Sequence, residues 1–235
     1  MDLATVQSVA RSRRARVIDV VLAVLAEAIT RTHPAFAARA HHRLRASVPI
    51  MARQRSPSGS GNVTAAVMID LPLSAMDLDT RLAHIGRHST RLLTAPRVLA
   101  SRFVMTTVLG ALPATLQRAC ARAAYGPAFL QAIVSNMPGP TVPMTLTDVP
   151  LEFVVPILPL APGAPLAMGA LSCNGVLGLG LATDPQYLDA DTLLAAMQQG
   201  LRELAHASLP NIRTINHVPH QQSTTTAGTA GDQAR

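Results

Sequence analysis

Residues 166–183 read LAMGALSCNGVLGLGLAT. Two apolar runs of strand length meet at Asn174-Gly175, a pair in which both residues accept positive φ and so close a tight hairpin. The stretch predicts antiparallel strands over 166–172 and 176–183. The GLGLA at 178–182 lies inside a strand pattern rather than opening a helix, so it is no dinucleotide-binding loop. Just downstream, Asp189 to about His206 has the spacing of a helix. Leu193, Leu194, Met197, Leu201 and Leu204 form its apolar stripe, Asp189 stands at the cap and Asp191 in the first turn.

Working back from the hairpin, LEFVVPILP (151–159) and AFLQAIVSN (128–136) read as strands, the latter entering the turn MPGP. LRASVPIM (44–51) and VTAAVMIDLPL (63–73) read as two more, joined by ARQRSPSGSGN (52–62), whose Arg, Ser, Gly and Pro mark an exposed loop. Residues 2–15 predict a polar helix and 17–32 a buried one, with Val17, Val20, Val21, Val24, Leu25 and Ile29 recurring at three and four. A short helix runs from near Pro34 to about residue 42. Another covers 76–93, with Leu78, Leu82, Ile85 and Leu92 on one face, and a run broken by Pro113 reaches about Ala124. Periodicity stops at Ser208, which predicts one domain over 1–207 and a disordered polar tail over 208–235. The pattern is α/β (α+β): a mixed β-sheet flanked by helices.

The 235 residues are 49% hydrophobic with mean hydropathy +0.27, enough to bury a core. The formal net charge is +7, and apart from histidine every basic residue is arginine. Such a balance suits acidic partners: nucleic acid, anionic membrane or phosphate-bearing cofactors. Aromatics are only 3% and Trp is absent, which disfavours a base-stacking platform, and no nucleic-acid-binding signature is present; nucleic acid is not an expected partner. Cys120 and Cys173 have no metal-pair spacing and read as small buried hydrophobes, so no metal is expected. SRRARVIDVVLAVLAEA (12–28) imitates a twin-arginine export signal, but Asp19 and Glu27 interrupt the apolar run, and an amphipathic helix is the better reading. Prolines break the other long apolar run, 150–172, so no spanning segment is expected.

HHRLRAS (41–47) opens like HHxxxDG, the signature of a large class of acyl-transferring enzymes. There the second histidine is the general base, and glycine lets the backbone turn beside substrate. The Asp place here is Ala46 and the Gly place Ser47. His41 and His42 therefore read as a solvated helix end, where histidine suits the dipole. No GxSxG, GxxxxGK[ST] or HExxH is present, and no catalytic residue is assigned.

Five segments in order carry a family resemblance: RARVIDVVLAVLAEAI (14–29), LRASVPIMAR (44–53), GNVTAAVMIDLPL (61–73), IVSNMPGP (133–140) and GALSCNGVLGLGLATD (169–184). Together they resemble the C-terminal half of the bacterial wax ester synthase/diacylglycerol acyltransferases, of the chloramphenicol acetyltransferase-like CoA-dependent acyltransferase superfamily. The resemblance covers about residues 3–206. It implies one half of a two-half fold, in which the halves face each other across a tunnel and HHxxxDG belongs to the N-terminal half. Acyl-CoA would be the co-substrate, with no resident cofactor. A diacylglycerol or fatty alcohol would accept the chain, giving triacylglycerol or wax ester.

Residue by residue, Asp19 matches the second member of the family's Asn-Asp pair, with Ile18 in place of the Asn. Asn62 matches a Gly-Asn after the loop. Asn136, Gly139 and Pro140 match an Asn-x-Pro-Gly-Pro turn, Ser172 a hairpin Ser and Asp184 the hairpin-end Asp, while Cys173 stands where Tyr is usual. All are read as structural. Uncovering ~1,000 Å² of an apolar partner face would cost ~25 kcal/mol, more than a domain stability of ~5–15 kcal/mol. The resemblance therefore predicts a partner: an HHxxxDG-bearing N-terminal half, or self-association, or the surface of a membrane or lipid droplet. No activity of the chain alone is expected. The expected location is the cytoplasm, or the periphery of the inner membrane or of lipid inclusions. The alternative is a non-catalytic lipid- or membrane-surface-binding module.

Overall fold

The computed structural model describes residues 1–51, 64–92, 112–116, 118–119, 130–140 and 142–207. The expected loop at 52–62, most of the run to Ala124, Cys120 and the tail from 208 lie outside these residues.

The helices come first: α1 (Leu3–Ser12), α2 (Val17–Thr32) and α3 (Pro34–Arg39) precede β1 (Arg43–Met51) and β2 (Thr64–Pro72). Then follow α4 (Leu78–Leu92), β3 (Ala132–Pro138), the short β4 (Thr145–Leu146) and β5 (Val149–Pro150), β6 (Leu166–Cys173), β7 (Val176–Thr183) and α5 (Ala190–Ala207). One mixed five-stranded sheet has the order β2-β1-β3-β6-β7, and β4-β5 form a separate two-stranded ladder. β1, β3 and β6 are mutually parallel at the centre, with Ala46 opposite Ala132 and Ala132 opposite Leu166. Antiparallel partners flank them: β1 with β2 from Arg43–Pro72 to Met51–Thr64, and β6 with β7 across the hairpin. Asn174 (φ 48°) and Gly175 (φ 77°) turn that hairpin as their sequence demands. The free edge of β7 is covered by the first residues, through Leu3 N–H to Gly175 C=O (3.0 Å) and Leu177 N–H to Met1 C=O (2.8 Å).

The core lies on one face of the sheet. Leu44, Ala46 and Val48 of β1, Val67, Ile69 and Leu71 of β2, Ala132 and Val134 of β3, and Leu166, Met168 and Ala170 of β6 alternate onto it. Against them pack α2, α4 and α5. Helix α2 is buried almost all round, 11 of its 16 residues, which is broader than the stripe its spacing suggested. It has sheet on one side and α4 and α5 on the others. In α5, Leu194 is only half-buried, while Ala196 and Gly200 enter the interface.

One segment departs from expectation. Residues 151–159 form no strand. Pro156 and Pro159 have no N–H to give a ladder, and Val154–Pro156 lie against glycines of β6 and β7 instead.

Arg81 of α4 is fully buried. Its guanidinium donates to Glu27 (3.0 Å), to the Ser74 carbonyl (3.0 Å) and to the Pro72 carbonyl. Glu27 also meets Arg31 (3.2 Å), which reaches Glu203 of α5 (3.0 Å). The network ties α2, α4, α5 and the turn after β2 together. Burial pulls the Arg81 pKa down and Glu27 pushes it back up.

Three helices begin with the same device. Asp2, Asp77 and Asp189 each accept from the backbone N–H three residues on, at Thr5, Thr80 and Thr192 (2.6, 2.8 and 2.8 Å). Bonds from those threonines hold all three carboxyls below the usual Asp range, and Arg31 holds Glu203 below the Glu range. Depressed folded-state pKa values add stability above the ordinary carboxylate range. That stability is lost as pH falls through the folded values. Thermal melts should therefore show a Tm that falls on acidification from about pH 5 to pH 3, and less steeply in an Asp77→Ala/Asp189→Ala variant.

Candidate functional site

Two of the expected motif segments meet at the carboxyl ends of β3 and β6. The register puts Pro138 opposite Ser172, and Asn136 opposite Ala170. The turn then brings Gly139 onto Ser172, whose hydroxyl accepts the Gly139 N–H (3.2 Å). A Cβ at Gly139 would overlap the Ser172 carbonyl oxygen, so only glycine allows this approach. Asn136, Gly139 and Pro140 are half-buried. The NMPGP bend is thus latched to the strand that enters the Asn174-Gly175 turn, and Cys173 is buried beside it.

The other expected residues lie elsewhere. Asp184 is at the opposite end of the hairpin, where its N–H donates to the Pro165 carbonyl (2.9 Å). Its carboxylate accepts from Gln186 N–H (3.0 Å) and its carbonyl from Tyr187 and Leu188, turning the chain toward α5. Asp19 is buried in the helical layer. It accepts from the Arg16 N–H (2.9 Å) and from the Ser89 hydroxyl (2.6 Å), fixing the start of α2 to α4. The place before it, Ile18, is filled by an apolar side chain in the core. Ser89→Ala should cost about 1–2 kcal/mol, since it removes a donor to a buried carboxylate; urea unfolding measures it. Asn62 lies outside the described residues.

The adjacent histidines close a helix. His41 N–H donates to Ala38 C=O (3.0 Å) and His42 N–H to Ala37 C=O (2.9 Å), the Schellman pattern, with φ of 51° and 56°. Both are exposed. Among the described residues no group of three His, Cys, Asp or Glu could hold a metal. The Ser89–Asp19 pair is buried, with the Ser89 hydroxyl shared between Asp19 and the Gly86 carbonyl.

The sheet face away from the helices carries the feature that sequence reasoning missed. Gly169 of β6 and Gly178 and Gly180 of β7 point to this face. They form a trough for Val154–Pro156: a Cβ at Gly178 or Gly180 would overlap the carbonyl oxygen of Val154 or Pro156, and one at Gly169 would lie 2.8 Å from the Pro156 ring. Glycines at period two in GLGL were the available signal. From this anchored point the surrounding segment exposes Val142, Met144, Val149, Phe153, Val155, Ile157 and Leu160. Those are seven of the nine large apolar side chains exposed among the described residues, and Ile157 is 85% exposed.

The architecture is that of half an acyltransferase- or condensation-type fold. The chain superposes on the wax ester synthase/diacylglycerol acyltransferase from Marinobacter aquaeolei VT8 with TM-score 0.56 and 19% identity, covering 88% of this chain and 47% of that one. It superposes on the epimerization domain from the third module of tyrocidine synthetase B with TM-score 0.54 and 11% identity, again covering 88% and 47%. The WS/DGAT C-terminal domain model matches residues 60–205, and the chain belongs to that family. It is 27% identical over 210 residues to the probable diacylglycerol O-acyltransferase Tgs4 of Mycobacterium tuberculosis, and to a putative diacylglycerol O-acyltransferase of Mycobacterium bovis. The alignment takes in 85% of this chain and 42% of those relatives, so the chain spans less than half their length.

Proposed function

We propose that this chain supplies the C-terminal half of a long-chain O-acyltransferase that moves an acyl group from acyl-CoA to a diacylglycerol or fatty alcohol. The observation that carries the reading is the apolar segment 142–160, held on the sheet face away from the helices by the glycine trough and exposed along most of its length. In this reading an HHxxxDG-bearing half covers that face. The two halves enclose the acyl chain, and the catalytic base comes from the partner. This chain contributes the wall and the latch between Gly139 and Ser172. Acyl-CoA is a co-substrate, not a resident group.

A membrane-surface module fits less well. Val154–Pro156 lie on the sheet face opposite the helices, whereas a cluster of four arginines lies on the helical layer. The two do not form one membrane-facing surface. No described helix is long and apolar enough to cross a membrane.

The test is transfer of a long acyl chain from acyl-CoA to diacylglycerol and to hexadecanol. We expect no product from the folded chain alone and product once an HHxxxDG-bearing half is added. Product from the chain alone that disappears in His42→Ala would overturn the reading, as would no product in either case.

A further inference from the structure

Four arginines surround a cleft of about 370 Å³ on the helical layer, between the α1–α2 turn and α4. Arg13 and Arg14 stand on one wall, Arg87 and Arg91 on the other, with Ala15 and Leu82 as apolar lining. Gly86 leaves its side of the cleft open: a Cβ there would meet only Asp19 Oδ2, at 3.9 Å. Two carboxylates face this region. Asp79 is paired with Arg13, and Asp19 lies beneath Gly86, already holding Ser89 and the Arg16 N–H. Of the four arginines, Arg14 and Arg87 account for two positive charges that no described carboxylate pairs. Among the described residues the exposed side chains of Arg14 and Arg87 make no hydrogen bond or ion pair.

The backbone fixes the place of Arg14. Arg14 has φ 52°. It occupies the left-handed position that ends α1, with Arg14 N–H to Arg11 C=O (3.1 Å) and Ala15 N–H to Ala10 C=O (2.8 Å). Glycine closes this motif at lower conformational cost. The chain instead holds an arginine there, as it holds His41 at the matching place after α3, and this puts Arg14 on the wall of the cleft.

We propose that this cleft binds a phosphate group, as a phosphomonoester or diphosphate. Guanidinium forks match phosphate oxygens two at a time. A phosphomonoester carries close to two negative charges at pH 7 and would balance those two positive charges, which a single carboxylate would not. Ala15 and Leu82 offer contact to the apolar part of whatever carries the phosphate. The ligand is either a soluble phosphate ester or a lipid phosphate headgroup. The site lies on the helical side, so it stays open when the opposite sheet face is covered, and it does not depend on the acyltransferase reading.

The test uses the full chain with two probes: inorganic pyrophosphate by titration calorimetry, and phosphatidic acid/phosphatidylcholine vesicles by co-sedimentation. The key variant is Arg14→Gly/Arg87→Gln, since glycine suits the backbone at 14 and preserves the fold, which a thermal melt verifies. Arg39→Gln/Arg202→Gln removes the same charge elsewhere. We expect the cleft variant to lose at least about tenfold in affinity and the control to change little. Pyrophosphate binding without vesicle binding assigns a soluble ester; vesicle binding that pyrophosphate displaces assigns a lipid headgroup. The proposal is overturned if neither probe binds the folded wild-type chain, or if both double variants weaken binding equally.

Discussion

Arg81→Ala is expected to lower the unfolding free energy by about 3–5 kcal/mol, the range for breaking a buried ion pair from one side. The side chain is inaccessible and serves three acceptors: Glu27, the Pro72 carbonyl and the Ser74 carbonyl. Its removal leaves both carbonyls without that donor and opens a cavity. Glu27 keeps Arg31, which limits the loss. Arg81→Lys should recover only part of it, because an ammonium cannot span three acceptors in the geometry of a guanidinium. Urea unfolding of the three proteins measures this, with an unchanged m-value showing that the mutations act on the native state. Equal stability of the lysine and wild-type proteins would show that charge, not the fork, is what α4 needs.

Gly180→Val should cost about 3 kcal/mol, the upper end for overpacking. The atom it meets is the Pro156 backbone oxygen, so no side-chain rotation relieves the clash and the segment must lift from β7. The substitution lies on the sheet face opposite the helical core, and the helices should keep their far-ultraviolet signal. What should change is the segment: proteolysis around 151–160 should speed up sharply, while cleavage within α2 stays slow. Gly175→Ala offers a contrast. A Cβ there meets nothing within 4 Å, and its cost comes only from the φ of 77°.

Sequence alone was a good guide where one rule governs. The hairpin at Asn174-Gly175, the cap at Asp189 and the strands β1, β2 and β6 follow from local composition and geometry, and they appear as read. It was a weaker guide where the outcome depends on distant partners. LEFVVPILP has strand composition, but its prolines cannot complete a ladder, and its place was set by glycines more than ten residues later. Arg81 and Ser89 sit on the buried face of α4 at positions where charge and polarity predict solvent. Their burial makes sense only once Glu27 and Asp19 arrive from α2.

The candidate site was legible in the same uneven way. The motif NMPGP and Ser172 were visible as separate pieces, and their contact depends on the parallel pairing of β3 with β6. The two histidines drew attention through a motif that Ala46 and Ser47 break; the backbone shows them closing α3. The arginine run at 13–16 resembled part of an export signal, and its relation to Arg87 and Arg91 needed the packing of α4 beside the α1–α2 turn.

The most direct test of the account is hydrogen exchange of the chain with and without an HHxxxDG-bearing half. The account predicts strong protection of residues 142–160 and of the neighbouring β6–β7 face on mixing, with α1 and the arginine cleft unchanged. Protection confined to the helical layer, or none on 142–160 when a complex forms, would contradict it.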